Sequence, residues 1–186
     1  MTDLDDIHFI KQIEHGDVDA FVHIVRRYEQ MIFSIVNKIV INEQDAEDVV
    51  QEVFIKVYQS LGKFRHDSQF STWLFRIAYN TTISHVRKSK MHQTFDDDIF
   101  DKLPETEIDD SLEGVRKEEL LQYLDNILHE LNPADALLIT MFYMNNQNIQ
   151  EISNISGLST TNVKVKLHRI RKFMNFELNK RIRNEE

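Results

Sequence analysis

The feature that most limits the fold of this chain is a helical spacing of apolar side chains in its first half. They recur at intervals of three and four residues, as on one buried face of an α-helix: Ala46, Val49, Val50, Val53, Phe54 and Val57. The 186 residues include only 4 Gly and 2 Pro, too few for the many tight turns of a sandwich or barrel. The sequence therefore predicts an all-α protein.

Similar stripes predict further helices in the first half of the chain. They indicate a short helix that ends near Gly16 and a longer one that reaches about Val40. After a polar turn, Ser71 is in a position to cap a helix that runs to about Lys88. Together these helices would form one small domain.

The last part of the chain predicts a helix-turn-helix. Asn132 and Pro133 form an N-terminal cap and first turn for a helix that runs to about Met144. A short isoleucine-rich helix follows and is broken at Gly157, after which Ser159 can cap a long basic helix. A short helix, a glycine turn and a basic helix are typical of this DNA-binding motif.

An acidic stretch separates these two parts. Residues 91–115 carry nine acids against Lys102, one of the two prolines and no sustained apolar period, which predicts a flexible linker. The linker divides a first domain, residues 1–90, from a second domain, residues 116–186. The predicted architecture is two small helical domains joined by an acidic linker, the second domain containing the helix-turn-helix.

Several classes of protein are excluded by what the sequence lacks. It has no Cys, no glycine-rich phosphate loop and no zinc-binding HExxH motif, and no apolar run approaches the ~20 residues of a membrane span. We therefore expect a protein that is not an enzyme, uses no cofactor or metal, does not insert into membranes and works in the cytoplasm.

The formal net charge of −9 hides two basic patches. Residues 62–90 carry six Lys or Arg against Asp67, and residues 164–183 carry eight against Glu177. Because cations attract phosphate and a major groove accepts one α-helix, the final helix favours DNA binding over a merely solvated surface. Val165 lies in its exposed basic face, where an apolar side chain would suit a thymine methyl group.

Two other helical faces have more than one interpretation from the residues alone. One row on the helix after Ser71 consists of Trp73, Arg76, Asn80, Ser84 and Arg87. Aromatic rings among cations suit stacked single-stranded bases, but the same rings suit a hydrophobic core. The valine-rich helix places Asp45, Asp48 and Glu52 on its outer face, which is either a solvated surface or a docking surface for a basic partner.

The order of these features resembles a known family. The chain is similar to RNA polymerase sigma factors of the extracytoplasmic-function type in segments that cover nearly its whole length: DAEDVVQEVFIKVYQSLGKF, FSTWLFRIAYNTTISHVRK, an acidic stretch, LNPADALLITMFYM and IQEISNISGLSTTNVKVKLHRIRKFM. Members have two helical domains, regions 2 and 4, joined by a flexible linker. The resemblance implies a factor that binds core RNA polymerase and directs promoter-specific transcription initiation.

The resemblance also implies roles for single residues. The acidic face would dock on the β′ clamp helices of the polymerase through Asp45, Asp48, Gln51 and Glu52. The following segment would recognise and melt the minus-10 promoter element through Lys63, Arg65, Phe70, Trp73, Arg76, Asn80 and Arg87. The final helix would read the minus-35 element through Thr161, Lys164, Val165, Lys166, His168, Arg169 and Arg171.

The implied partners are core RNA polymerase, including its β subunit, and promoter DNA. Family members often have an anti-sigma protein, which makes such a protein a further candidate partner. Lys164, Val165 and Lys166 depart from the family, which often has Arg or Ser there, so the promoter sequence cannot be copied from a relative. The alternative is a helix-turn-helix regulator that never binds polymerase, which would leave the acidic face and the aromatic row unexplained.

Overall fold

A computed structural model describes residues 3–89 and 116–183, and within these ranges the chain is helical without any β-strand. The first block, residues 3–89, contains α1 (Asp3–Glu14), α2 (Phe21–Val36), α3 (Glu43–Ser60) and α4 (Phe70–Ser89). The second block, residues 116–183, contains α5 (Lys117–Glu130), α6 (Pro133–Tyr143), α7 (Ile149–Ser156) and α8 (Thr160–Arg183). The all-α prediction is confirmed, whereas the predicted linker 91–115 lies outside the described residues.

Helix α3 forms as its apolar period predicts. Its six-residue apolar stripe is entirely buried, against α2 on one side and α4 on the other. Asn42 caps the helix, since its side-chain oxygen accepts a hydrogen bond from the backbone N–H of Asp45 at 3.1 Å. Such a cap stabilises a helix by about 1 kcal/mol. The stripe and the cap together fix which face of α3 points outward.

Two helix boundaries differ from the sequence predictions. Helix α2 ends at Val36 and not near Val40, because the N–H groups of Ile39 and Val40 both bond to the carbonyl of Val36 and close a turn. Helix α4 starts at Phe70, so Ser71 is inside the helix and is not its cap. Both boundaries depend on backbone conformation, which apolar periodicity does not report.

The helix-turn-helix is present as predicted. Asn148 starts α7 with a capping box, in which its side chain and that of Glu151 each accept a hydrogen bond from the backbone of the other residue. Gly157 ends α7 with φ +77°, a left-handed conformation that costs glycine little. The hydroxyl of Ser159 accepts a hydrogen bond from the N–H of Asn162 at 3.2 Å and caps α8. These local bonds set the angle at which α8 leaves α7.

The two blocks pack directly on each other through α4. One buried stripe of α4 faces its own block. A second buried stripe includes Phe75, Thr82 and Val86. Helix α4 also contacts α7 and α6 of the second block. At a second point, the Lys38 ammonium lies 2.6 Å from the Asp125 carboxylate of α5. The structure therefore shows a closed arrangement of the two blocks.

Candidate polymerase and nucleic-acid interfaces

The acidic face of α3, formed by Asp45, Asp48, Gln51 and Glu52, lies opposite the buried stripe. Asp45 is half-buried and the other three side chains are exposed. Lys56 approaches Glu52 to 2.6 Å, and its hydrogen bond lowers the pKa of that carboxyl, which is therefore ionised at neutral pH. The structure thus brings all four residues predicted for this face onto one outward surface.

Ile55 is a residue of this face that the sequence analysis missed. It is 56% exposed, and at 100° per residue it projects between Gln51 and Glu52. Tyr58 extends the apolar surface towards α2, where its ring meets Phe21 edge-on at 5.1 Å between centroids. An exposed apolar centre with charges around it is typical of a protein interface. The signal in the sequence was one isoleucine on the face opposite the stripe.

The predicted polar row of α4 points outward. Arg76, Asn80, Ser84 and Arg87 are all exposed. Beside the row, a cavity of about 410 Å³ lies between the last turn of α3 and the middle of α4, and the side chains of Asn80 and Ser84 line it together with Lys63. Cations, an amide and a hydroxyl at the rim of one cavity form a surface that suits a base and its phosphates.

The aromatic residues at the start of α4, together with Phe64 before it, form a cluster that only partly faces solvent. Phe70 is fully buried and packs near Tyr28, with ring centroids 5.9 Å apart, so its predicted role as a DNA contact is corrected to that of a core residue. Trp73 is half-buried and lies 5.3 Å from Phe64 and 5.7 Å from Phe70 between ring centroids. Trp73 is therefore partly packed in the aromatic cluster and partly accessible beside the polar row.

The turn between α3 and α4 leaves its cationic side chains exposed to solvent. Lys63 and Arg65 are exposed, and Arg65 lies 3.2 Å from the equally exposed carboxylate of Asp67. His66 adopts φ +57°, and its ring lies 4.6 Å from that of Phe64. The contact between these two rings thus stabilises the turn, while its charged side chains stay accessible to solvent.

The outward face of α8 agrees with the predicted helical phase. Thr161, Lys164, Val165 and His168 are exposed, whereas the opposite stripe, which includes Val163, Leu167, Ile170 and Phe173, is buried. Arg169 is half-buried at the edge of the exposed face. Val165 keeps 44% of its surface exposed among polar neighbours. One face of α8 therefore combines cations with an accessible apolar side chain.

Lys166 and Arg171 lie at the two margins of that face. The ammonium of Lys166 is 2.8 Å from the carboxylate of Asp135, a buried residue of α6. Arg171 donates from Nε to the carbonyl of Leu167 at 3.3 Å. These two predicted DNA contacts thus have partners within the second block.

An apolar groove of about 770 Å³ crosses the second block between α5, α6 and α8. Leu121, Tyr143 and Met144 line it and are each about half exposed. Arg171 of α8 also lines the groove, as do Lys38 of the first block and Asp125, which form an ion pair with each other. A groove of this kind suits an amphipathic helix.

Comparison with known families defines the class of protein. The model of sigma-70 region 2 matches residues 24–91, and the model of sigma-70 region 4 matches residues 121–174. The first match contains the acidic face and the polar row, and the second contains the helix-turn-helix. These two regions in one chain are those of a sigma factor.

A full-length relative narrows the class. The chain is 31% identical over 176 residues to the ECF RNA polymerase sigma factor SigW of Bacillus subtilis, in a match that covers 91% of this chain and 94% of the relative. The chain therefore belongs to the extracytoplasmic-function (ECF) RNA polymerase sigma factors. It binds core RNA polymerase and directs promoter-specific initiation, and the alternative of a regulator without polymerase is set aside.

Solved structures agree on the fold. The chain resembles CnrH, solved in complex with the cytosolic domain of CnrY, with a TM-score of 0.67 and 23% identity over 92% of this chain and 95% of that one. It also resembles the sigma factor RpoE of Bartonella quintana, solved with the anti-sigma factor NepR, with a TM-score of 0.64 and 19% identity over 87% and 98% of the two chains. Within the described residues, no helix is both long and apolar enough to cross a bilayer.

Proposed function

We propose that residues 1–90 dock on core polymerase and open the minus-10 element, that residues 116–186 read the minus-35 element, and that residues 91–115 connect them. The observation that supports this division is the presence of an acidic face and two separate cationic faces on three different helices. The chain then acts by binding alone, without a catalytic step of its own. It acts in the cytoplasm, because its polymerase partner works there.

The acidic face of α3 is proposed to contact the β′ clamp helices. Asp48, Gln51 and Glu52 would pair with cations and amide donors of the partner, while Ile55 would supply the apolar centre of the contact. Apolar centres supply most of the affinity of an interface, and surrounding charges supply specificity and association rate. Ile55 thereby joins the residues that the sequence indicated.

The polar row and the cavity beside it are proposed to bind the melted minus-10 strand. Arg76 and Arg87 would hold phosphates, and Asn80 would present its amide to the edge of a base in the cavity. Unstacking one base costs a few kcal/mol, and stacking on an aromatic ring returns about 1 to 3 kcal/mol. The half-buried ring of Trp73 lies on the same helix face as Arg76 and Asn80 and is proposed to supply that contact.

The outward face of α8 is proposed to enter the major groove at the minus-35 element. Thr161, Val165 and His168 lie near the helix N-terminus, where a recognition helix contacts base edges. Lys164 and Arg169 flank them and would meet phosphates or guanine. The face therefore separates residues that read bases from residues that fix position.

Replacing the exposed valine tests this assignment. Val165→Ser should change the preferred base at one position of the minus-35 element, because the apolar contact that favours a thymine methyl group is lost and one mismatched base pair in a site costs about 1 to 3 kcal/mol. The salt dependence of promoter binding should stay constant, since no charge changes. The measurement is binding of the holoenzyme to a promoter library. Unchanged base preference would place Val165 away from the bases.

The apolar groove of the second block is proposed to receive a helix from a protein partner. Its apolar lining fits the apolar face of an amphipathic helix, from the polymerase β subunit or from an anti-sigma protein. The similar sigma factor RpoE was solved in complex with the anti-sigma factor NepR, which supports the second source. Competition between the two partners for one groove would then regulate the factor.

A further inference from the structure

Asp135 forms a buried polar network at the start of α6. The residue is only 2% exposed, and both of its carboxylate oxygens have partners. Oδ2 accepts a hydrogen bond from the Asn132 amide at 2.7 Å, and Oδ1 accepts one from the ammonium of Lys166 at 2.8 Å. The backbone N–H of Asp135 donates in turn to the Asn132 side chain at 2.9 Å. The cap of α6 is therefore joined by an ion pair to the second turn of α8.

The direction of Lys166 differs from that of its neighbours on α8. Lys166 is one residue, or 100°, beyond the exposed Val165 and so lies at the margin of the buried stripe. Its side chain is 30% exposed, and its ammonium meets a carboxylate that is almost completely shielded from water. Because screening by water is weak there, this pair is held more firmly than the exposed pairs of the surface.

We propose that Lys166 is a positioning residue, whose ion pair with Asp135 fixes the rotation of α8 relative to α6, and that it does not contact DNA. The proposal rests on the assignment of α8 as the minus-35 reader. Side chains on a helix extend about 6 Å from its axis, so a rotation of about 20° would move the base-reading groups by about 2 Å. A displacement of this size is comparable with the range of a hydrogen bond. The pair would therefore control which bases Val165 and its neighbours can reach.

A double substitution separates positioning from DNA contact. Lys166→Met alone leaves a buried carboxylate without its cation, so the melting temperature should fall by about 5 °C or more and minus-35 base preference should weaken. Adding Asp135→Asn removes the unpaired charge while keeping a partner for Asn132. The double variant should regain the melting temperature, because no buried charge is left unpaired, whereas its minus-35 base preference should stay weakened, because the ion pair that fixes the rotation of α8 is absent. Lys166→Arg, which keeps the charge, should behave as wild type.

Lys164→Ala provides the matched control on the same helix. Lys164 is exposed in the proposed DNA-facing surface, so its removal should lower the slope of log affinity against log salt by about one without changing the melting temperature. The measurement uses full-length variants in holoenzyme on a promoter library at several salt concentrations. The Lys166 and Asp135 double variant should keep the wild-type slope, in contrast to the control.

Two outcomes would overturn the proposal alone. One is a salt slope lowered by about one in the double variant, which would make Lys166 a phosphate contact. The other is a Lys166→Met variant with unchanged melting temperature and unchanged base preference. A wild-type holoenzyme without any minus-35 dependence would instead overturn the assignment of α8, and the positioning role with it. These results therefore distinguish a failure of the positioning role of Lys166 from a failure of the assignment of α8 as the minus-35 reader.

Discussion

Reversing two charges on the acidic face, Asp48→Lys with Glu52→Lys, is expected to weaken binding to core RNA polymerase by at least about 100-fold. Like charges opposed across an interface cost several kcal/mol, and about 2.7 kcal/mol already corresponds to 100-fold. Both side chains are exposed, so the helical circular dichroism spectrum and the melting temperature should barely change. The measurement is equilibrium binding of the labelled variant to core enzyme.

The matched control reverses two exposed acids elsewhere in the first block, Glu14→Lys with Glu29→Lys. It changes the net charge by the same amount, so any effect of total charge on association appears in both variants. The control should keep nearly wild-type affinity. If the Asp48 and Glu52 variant also kept nearly wild-type affinity for core polymerase, the acidic face would be only a solvated surface.

Binding to core polymerase is also expected to separate the two blocks. Elements named minus-35 and minus-10 are about 25 base pairs apart, or about 85 Å along B-DNA. A compact chain of this length is only about 40 Å across. In addition, α7 packs on α4 here, whereas the first helix of a docked helix-turn-helix crosses the DNA backbone. The closed arrangement therefore cannot serve both promoter elements at once.

Energy transfer between two labels measures this opening. The labels belong on exposed positions away from the proposed contacts, such as Gln30 of α2 and Asn154 of α7. Transfer should be high in the free protein and should fall when core polymerase is added, because the separation rises to several tens of ångströms. Low energy transfer in the free protein, or high energy transfer in the holoenzyme, would contradict the expected separation of the two blocks.

The sequence predicted features that depend on local pattern. The valine stripe placed α3 and its outer acids, and Asn132, Gly157 and Ser159 marked the ends of the helices in the second block. These signals are short-range, since caps and helical periods depend on residues within four positions of each other. The fold class and the helix-turn-helix could therefore be predicted from the amino-acid sequence alone.

Features that depend on distant residues could not be predicted in this way. Phe70 has the same spacing whether it stacks on a base or packs near Tyr28, and only the tertiary arrangement shows that it is buried. Lys166 lies among basic residues in the sequence, yet its partner Asp135 is 31 residues away. The second buried stripe of α4 is explained only by the tertiary structure, in which α4 contacts α7 and α6 of the second block. In each case, contacts between residues far apart in the sequence decide where the side chain lies.

The most direct test of the central claim is run-off transcription with core RNA polymerase and a library of genomic promoter fragments. Core enzyme with this protein should produce transcripts from discrete promoters that core enzyme alone ignores. Asn80→Ala should reduce those transcripts on duplex templates, because the residue lines the cavity proposed to hold a melted base. If cognate core enzyme gave the same transcripts with and without the protein, the account of a promoter-directing sigma factor would be contradicted.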